Sequence, residues 1–267
     1  MIDIIFGSTI FLCQVQIIQD LCLFLYIFLN DAIRWPISGN FIFPEWLLSS
    51  CQFLLVQEYV RLLNTWCEWN SASRKFILAV ALLEMGEIQK ACDHFLRASD
   101  GILTDPFLVD ALLNSNVTSR NRDLVYYYLK VIKLFEEHNA SDCIIEIAET
   151  AITNADADDP NLPTLHSIIF AQHLSLGHHA EAYHCLNANP DPVRRVDCLR
   201  QLVVTLFEKK LLIDLISFPY IDMYEDLERI VEGRARSVDL MENNYYNFLY
   251  SFHVNKQNMR KGKFLVL

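Results

Sequence analysis

The chain has 267 residues, 52% of them hydrophobic, a formal charge of −11, and few glycines (7) or prolines (8). With no window dense in Lys and Arg, so acidic a chain is poorly suited to release counterions from a row of phosphates, which argues against direct nucleic-acid binding; the basic group Arg260, Lys261 and Lys263 is too small to change that. Scarce Gly and Pro leave no room for many strand hairpins or a glycine-rich phosphate loop, so an all-α fold is expected.

Residues 1–33 stand apart as an apolar N-terminal segment, while residues 34–267 are expected to form one helical solenoid. From Ile4 to Leu29 the only formal charge is Asp20, and residues 21–29 are an unbroken apolar run. A spanning helix needs about 20 apolar residues, yet Gln14, Gln16, Gln19 and Asp20 interrupt this stretch near its centre, where polar side chains are costly. No basic residue precedes the run and no small-residue cleavage site follows it, which argues against a secretory signal. A buried solenoid helix, or sequence foreign to the fold, is favoured over membrane insertion through residues 4–29, which stays open as the alternative.

Arg34-Trp35-Pro36 to Phe43-Pro44 reads as a connector, because each proline biases the residue before it away from helix. Pro44 and Glu45 then open a helix expected to run to about Cys67. From Ser73 to Ser99 the periodicity predicts two antiparallel helices: Phe76, Ile77, Val80 and Leu83 form one apolar stripe, and Ile88, Ala91, Cys92, Phe95 and Leu96 the other. Gly86 between them can take the left-handed conformation that closes a helix. Ala91, Phe95 and Ala98 have the small-large-small spacing of a tetratricopeptide-like pair. Asp100-Gly101 close the hairpin, and Thr104-Asp105-Pro106 are expected to cap a short helix of their own.

The hairpin recurs. Aligning Gly86 with Gly177 lays Leu83 on Leu174, Ala91 on Ala182 and Phe95 on Leu186. Two weaker copies, Leu124–Ile152 and Asp197–Ile216, lack the glycine. Pro190-Asp191-Pro192 separates one pair, and Asn243-Asn244 mark a break after Phe218-Pro219-Tyr220. One hairpin cannot cover its own apolar faces and needs stacked neighbours. The expected architecture is therefore an irregular α-solenoid of antiparallel helix hairpins, tetratricopeptide-like in part.

No catalytic, cofactor-binding or metal-binding residue emerges from the spacing. The acidic loop from Asn154 to Pro160 has Asp159 where a calcium loop needs its turning glycine, and Leu165 where it needs a bidentate glutamate. His166, His173, His178, His179 and His184 lack a Cys or carboxylate at zinc-site spacing. The eight cysteines show no CxxC, and Cys92, Cys143 and Cys185 sit on apolar stripes as packed thiols of a reducing compartment. Glu136 and Glu137 are helix neighbours that point apart. Neither nucleotide nor hydrolase motifs occur, so no enzyme, cofactor or small-molecule substrate is expected.

Several longer strings carry more than a generic repeat: NFIFPEWLLSSCQFLLVQEYVRLLNTWC, LLEMGEIQKACDHF, DCLRQLVVTLFEKKLLIDLISFPYID and RARSVDLMENNYYNFLYSFHVNKQNMRKG. In this order, from about Trp35 to Gly262, they resemble the C-terminal helical part of the hundred-and-sixty-kilodalton nucleoporin family of the Y-complex. The resemblance implies a structural scaffold of the nuclear pore outer ring at the nuclear envelope, supporting pore assembly, nucleocytoplasmic transport and messenger RNA export, with the other Y-complex nucleoporins at the hub as partners. In that family a β-propeller precedes the solenoid. Its absence here, and the lack of resemblance in residues 1–33 and after Lys263, give the expectation of a truncated or mispredicted gene product. The last helix, with Tyr245, Tyr246, Phe248, Leu249, Tyr250 and Phe252, is accordingly expected to expose an apolar end and self-associate. A membrane-tethered or a soluble helical-repeat adaptor for protein–protein interaction is the alternative.

Overall fold

The structure is a computed structural model that describes residues 42–66, 70–102, 104–105, 107–109, 120–220, 222–237 and 245–256. Residues 1–33, Asn243-Asn244 and the basic group at 260–263 lie outside the described residues. Every regular element among the described residues is helical. They fall into two compact units, Met1–Ser115 and Asn116–Leu267.

The first unit holds α1 (Ile42–Ser49), α2 (Phe53–Trp66), α3 (Ser71–Glu84) and α4 (Ile88–Ala98), with a 3-10 turn at Ser99–Gly101. The single helix expected from Pro44 to Cys67 is in fact two. Cys51 takes a left-handed φ of 55°, and the N–H groups of Cys51 and Gln52 donate to Leu48 and Leu47 at 3.0 and 2.9 Å, closing α1. Pro44 lies in the first turn of α1, where its missing N–H costs no helix bond. Leu47, Val56, Tyr59, Val60 and Leu63 of α1 and α2 are buried against Ile77 and Ala81 of α3.

Helix α3 begins at Ser71, two residues ahead of the expected Ser73, and its cap comes from elsewhere. Asn70 makes no side-chain cap. Instead the buried Asp105 carboxylate accepts the Ser73 N–H at 2.8 Å. A carboxylate there meets the positive end of the helix dipole. Asp105 was expected to cap the helix that follows it; the close approach of Gly101 to Ala72, where a β-carbon would collide, brings it to α3. The expected seam between α3 and α4 is present: Ala91, Phe95 and Ala98 are buried, and Phe95 meets Phe76 edge-on at 5.3 Å.

In the second unit, α5 (Arg120–Glu137), α6 (Ser141–Asn154), α7 (Leu162–Leu176), α8 (His179–Ala188), α9 (Pro192–Glu208), α10 (Leu212–Ser217), α11 (Tyr224–Ser237) and α12 (Tyr245–Asn255) follow one another. Sequential helices from α5 to α10 pair, as do α11 and α12, and α7 packs on α9, α9 on α11, and α10 on α12, so hairpins stack within the unit. From α7 onward one core runs from Phe170 and Leu186 through Leu199, Leu202, Val203 and Leu206 to Phe248 and Phe252. The Asp191 carboxylate caps α9 by accepting the Val193 N–H at 2.9 Å, just ahead of Pro192 in the first turn.

The turns repeat more faithfully than the side chains. Gly86 and Gly177, the expected turn glycines, both have φ 81°. Asn139 and Lys210, with φ 53° and 58°, take the same seat in the two copies without glycine. At each of these four residues its own N–H bonds a carbonyl three residues back, and the next N–H bonds one five residues back, as at Cys51, with distances of 2.9–3.3 Å. This paired closure is the Schellman motif. The single residue that follows, Glu87, Ala140, His178 or Leu211, has φ from −83° to −93° before the next helix starts.

A side chain bearing a β-carbon pays about 1–2 kcal/mol for the left-handed conformation, and glycine also loses more freedom on folding. Lys210→Gly is therefore expected to stabilise the chain by about 0.5–1 kcal/mol and Gly86→Ala to destabilise it by about 1 kcal/mol, read by urea denaturation. Equal effects of one sign would show that the turns do not limit stability.

Candidate functional site

The residues that the sequence singled out are held in local roles. Asp156 accepts from Asn121 at 2.6 Å, and the buried Asp159 accepts the Asn161 N–H at 2.8 Å at the entry to α7. The acidic loop thus joins α5 to the α6–α7 connection. His173 and His178 have ring centroids 5.8 Å apart, His179 is the first residue of α8, and His184 is exposed. Among the described residues no group of three or more His, Cys, Asp or Glu could hold a metal ion, and no helix is long and apolar enough to cross a membrane. Cys92, Cys143 and Cys198 are buried and Cys185 half-buried. Burial, with Glu149 and Glu181 nearby, pushes the Cys185 thiol up to about 11, so it is not a thiolate nucleophile at neutral pH.

One constellation has catalytic chemistry in outline. Tyr224 Oη lies 2.6 Å from His253 Nδ1, and His253 Nε2 lies 3.3 Å from Glu228 Oε1. Hydroxyl, imidazole and carboxylate in that order can activate a nucleophile. Here His253 is buried, the Tyr224 ring stacks on Phe252, and none of the three lines either groove described below. Its place between α11 and α12 makes it a packing bridge.

The Phe218-Pro219-Tyr220 string forms a second buried junction. Tyr220 takes a left-handed φ of 44°, a strain of about 1–3 kcal/mol for a side-chain-bearing residue. It is held from several sides. Its N–H donates to Tyr183 Oη at 2.9 Å, its hydroxyl donates to the Leu215 carbonyl at 2.6 Å, and its ring meets Tyr183 and Phe252 edge-on. Phe218 lies flat on Tyr183 with centroids 4.5 Å apart, and its carbonyl accepts from Lys256 Nζ at 2.9 Å. Two of the strings that carry the sequence resemblance therefore meet here. Nearby, the buried Asn189 side chain donates to the Pro163 carbonyl at 3.0 Å and accepts the Asp191 N–H at 3.0 Å, latching the α8–α9 linker to α7.

What remains open is surface. In the first unit a groove of about 730 Å³ runs past Phe53, Leu54, Leu82 and Met85, with Glu87 and Lys90 at its edge. In the second unit a groove of about 290 Å³ lies between α9 and α11, with Val196, Ile230, Arg200, Arg229, Arg234 and Asp226 along it. The last helix is better covered than expected: Tyr245, Phe248, Leu249 and Phe252 are buried in the core, and only Tyr246 and Tyr250 of the six aromatic and apolar residues face outward, beside Val254. The helix turns its 3.6-period stripe inward onto α9, α10 and α11. The arginine groove was missed in the sequence because its cations come from two helices and never share a window.

Stacked helix hairpins whose polar groups serve packing and whose grooves face outward define a helical-repeat protein of the tetratricopeptide-like scaffold class. Residues 35–264 match the family described as NUP160/120 middle TPR, and the chain belongs to that family. It is 47% identical over 249 residues to the nuclear pore complex protein Nup160 homolog of Drosophila melanogaster, covering 87% of this chain and 18% of that protein. It is 41% identical over 233 residues to the nuclear pore complex protein Nup160 of Homo sapiens, covering 86% and 16%, and 20% identical over 203 residues to the nucleoporin NUP120 of Chaetomium thermophilum, covering 72% and 16%. The chain thus spans less than a fifth of the length of these relatives.

Tyr183→Phe removes the acceptor of a buried N–H and is expected to cost about 1–3 kcal/mol in urea denaturation. Tyr246→Phe, at an exposed position, stays within about 0.5 kcal/mol. Similar losses for both would show that the Tyr183–Tyr220 bond does not anchor the junction.

Burial lowers the pKa of His166, and burial is also the largest cause of lowered values at His94 and His179. The unfolded chain then binds more protons than the folded one below about pH 6.5, so stability present above that value falls as pH drops toward the folded pKa values. The thermal midpoint is expected to decline from about pH 7.5 to about pH 5.5, and His166→Gln to flatten the decline. An unchanged slope in that variant would remove His166 from the account.

Proposed function

We propose that the chain is a structural scaffold segment of the nuclear pore outer ring, acting at the nuclear envelope within the Y-complex. The observation that carries this reading is the coincidence of the family match at residues 35–264 with two units of stacked helix hairpins. A scaffold needs a fold that holds its shape through local packing and offers long faces to other proteins, and stacked repeats do both. Each buried polar group described above serves an internal junction, in keeping with a structural role. Its partners are the other Y-complex nucleoporins at the hub, and through them it supports pore assembly, nucleocytoplasmic transport and messenger RNA export. Residues 34–267 act as one solenoid piece in this reading. Contact is with protein, since a net charge of −11 opposes nucleic acid.

The test is co-elution of the full chain with the neighbouring hub subunits on a sizing column with light scattering. A stable complex is expected. A folded, helical sample that elutes alone from every one of them overturns the reading.

A further inference from the structure

The groove between α9 and α11 inverts the charge balance of the chain. Over the whole sequence acidic residues outnumber basic ones 33 to 22, whereas Arg200, Arg229 and Arg234 line this groove with Asp226, and Asp197 lies against Arg200. Arg200 pairs with Asp197 at 2.7 Å and Arg229 with Asp226 at 3.1 Å, and both guanidiniums are more than half exposed. Water screens such pairs, and each guanidinium has further donors, so an incoming carboxylate can share the arginine without disturbing its helix. Between the cations lie the half-buried Val196 and the edge of Ile230, whose side chain is otherwise in the core. Val193, one turn earlier on α9, is 68% exposed and extends that strip.

Gly233 supplies an independent observation. It lies inside α11 and lines the groove, and a β-carbon added there would meet nothing within 4 Å. Glycine inside a helix is less stable than alanine, and no close packing here requires it. Its effect is to leave bare backbone on which another chain can lie closely.

We propose that this groove docks an acidic amphipathic segment of another polypeptide. Its aliphatic side chains lie on Val193 and Val196, its carboxylates reach Arg200 on one wall and Arg229 and Arg234 on the other, and its backbone passes over Gly233. A nucleic-acid strand fits less well. No aromatic side chain lines the groove for a base to stack on. The proposal rests on the reading of the chain as a scaffold that docks other proteins.

The experiment is fluorescence anisotropy on the full chain with three probes: a labelled, acetylated and amidated peptide SDELLDELS, its amide twin SNQLLNQLS, and a short oligo(U) RNA. The acidic peptide is expected to bind, more weakly as salt rises, and the amide twin not to bind. The double variant Arg200→Gln/Arg229→Gln should weaken binding about fivefold. Gly233→Phe, which fills the open space over the backbone, should weaken it at least as much with helical content and thermal midpoint retained. If the double arginine variant fails to fold, Gly233→Phe decides alone. Equal binding of both peptides, no binding of the acidic one, or binding indifferent to both variants overturns the proposal. RNA binding that depends on these arginines assigns the groove to nucleic acid and overturns it too. Loss of the peptide result with hub co-elution intact sinks the groove alone, and the reverse pattern sinks the assembly reading.

Discussion

A helix end leaves backbone carbonyls without partners, and how they are satisfied sets where the chain can go next. Here a residue in the left-handed conformation turns two N–H groups back onto the last turn, and it does so at Cys51, Gly86, Asn139, Gly177 and Lys210. Only one residue then separates this seat from the next helix. With so short a linker the second helix runs back along the first, and its apolar stripe meets the stripe it follows. Each hairpin is thereby formed locally, and tertiary packing has only to stack hairpins that already exist.

Stacking is secured by buried polar groups placed where connections cross between hairpins. Asp105 caps α3 from 32 residues further on, Asn189 ties the α8–α9 linker to α7, and Tyr183 holds the backbone of Tyr220. Each is buried, so leaving its partner unbonded would be costly. The strain at Tyr220 persists because two hydrogen bonds and three aromatic neighbours over-determine it. The Tyr224–His253–Glu228 line belongs to the same class of device. Burial makes it a bridge, although its residue types and order would suit chemistry in an open cleft.

The outward surface is then free to vary in character. The α9–α11 face combines aliphatic residues with guanidiniums on an otherwise acidic chain, while the first unit's groove sets Phe53, Leu54 and Met85 beside Glu87 and Lys90. Neither needs a change in the hairpins beneath it, because exposed positions on a helix contribute little to the buried stripe. A repeat scaffold can therefore acquire separate docking faces without disturbing its core.

Scarce glycine and proline together with periodicity were enough for an all-α fold, the stripes of α3, α4, α7 and α8, and the turns at Gly86 and Gly177, because composition, a 3.6-residue pattern and a glycine are read directly from the chain. The small-large-small seam at Ala91, Phe95 and Ala98 was legible for the same reason, as were the strings that resemble the family. The break at Cys51 was not, and neither were Asn139 and Lys210 as turn residues, since a non-glycine enters the left-handed region only when surrounding packing outweighs its steric cost. The partner of Asp105 and the aromatic junction at Tyr220 depended on segments distant in sequence coming together. So did the arginine groove, whose cations lie on two helices that become neighbours only when α9 packs on α11. Short-range hydrogen bonding and side-chain pattern determine the hairpin; the burial of one hairpin's face on another decides its caps, its strain and its surface chemistry.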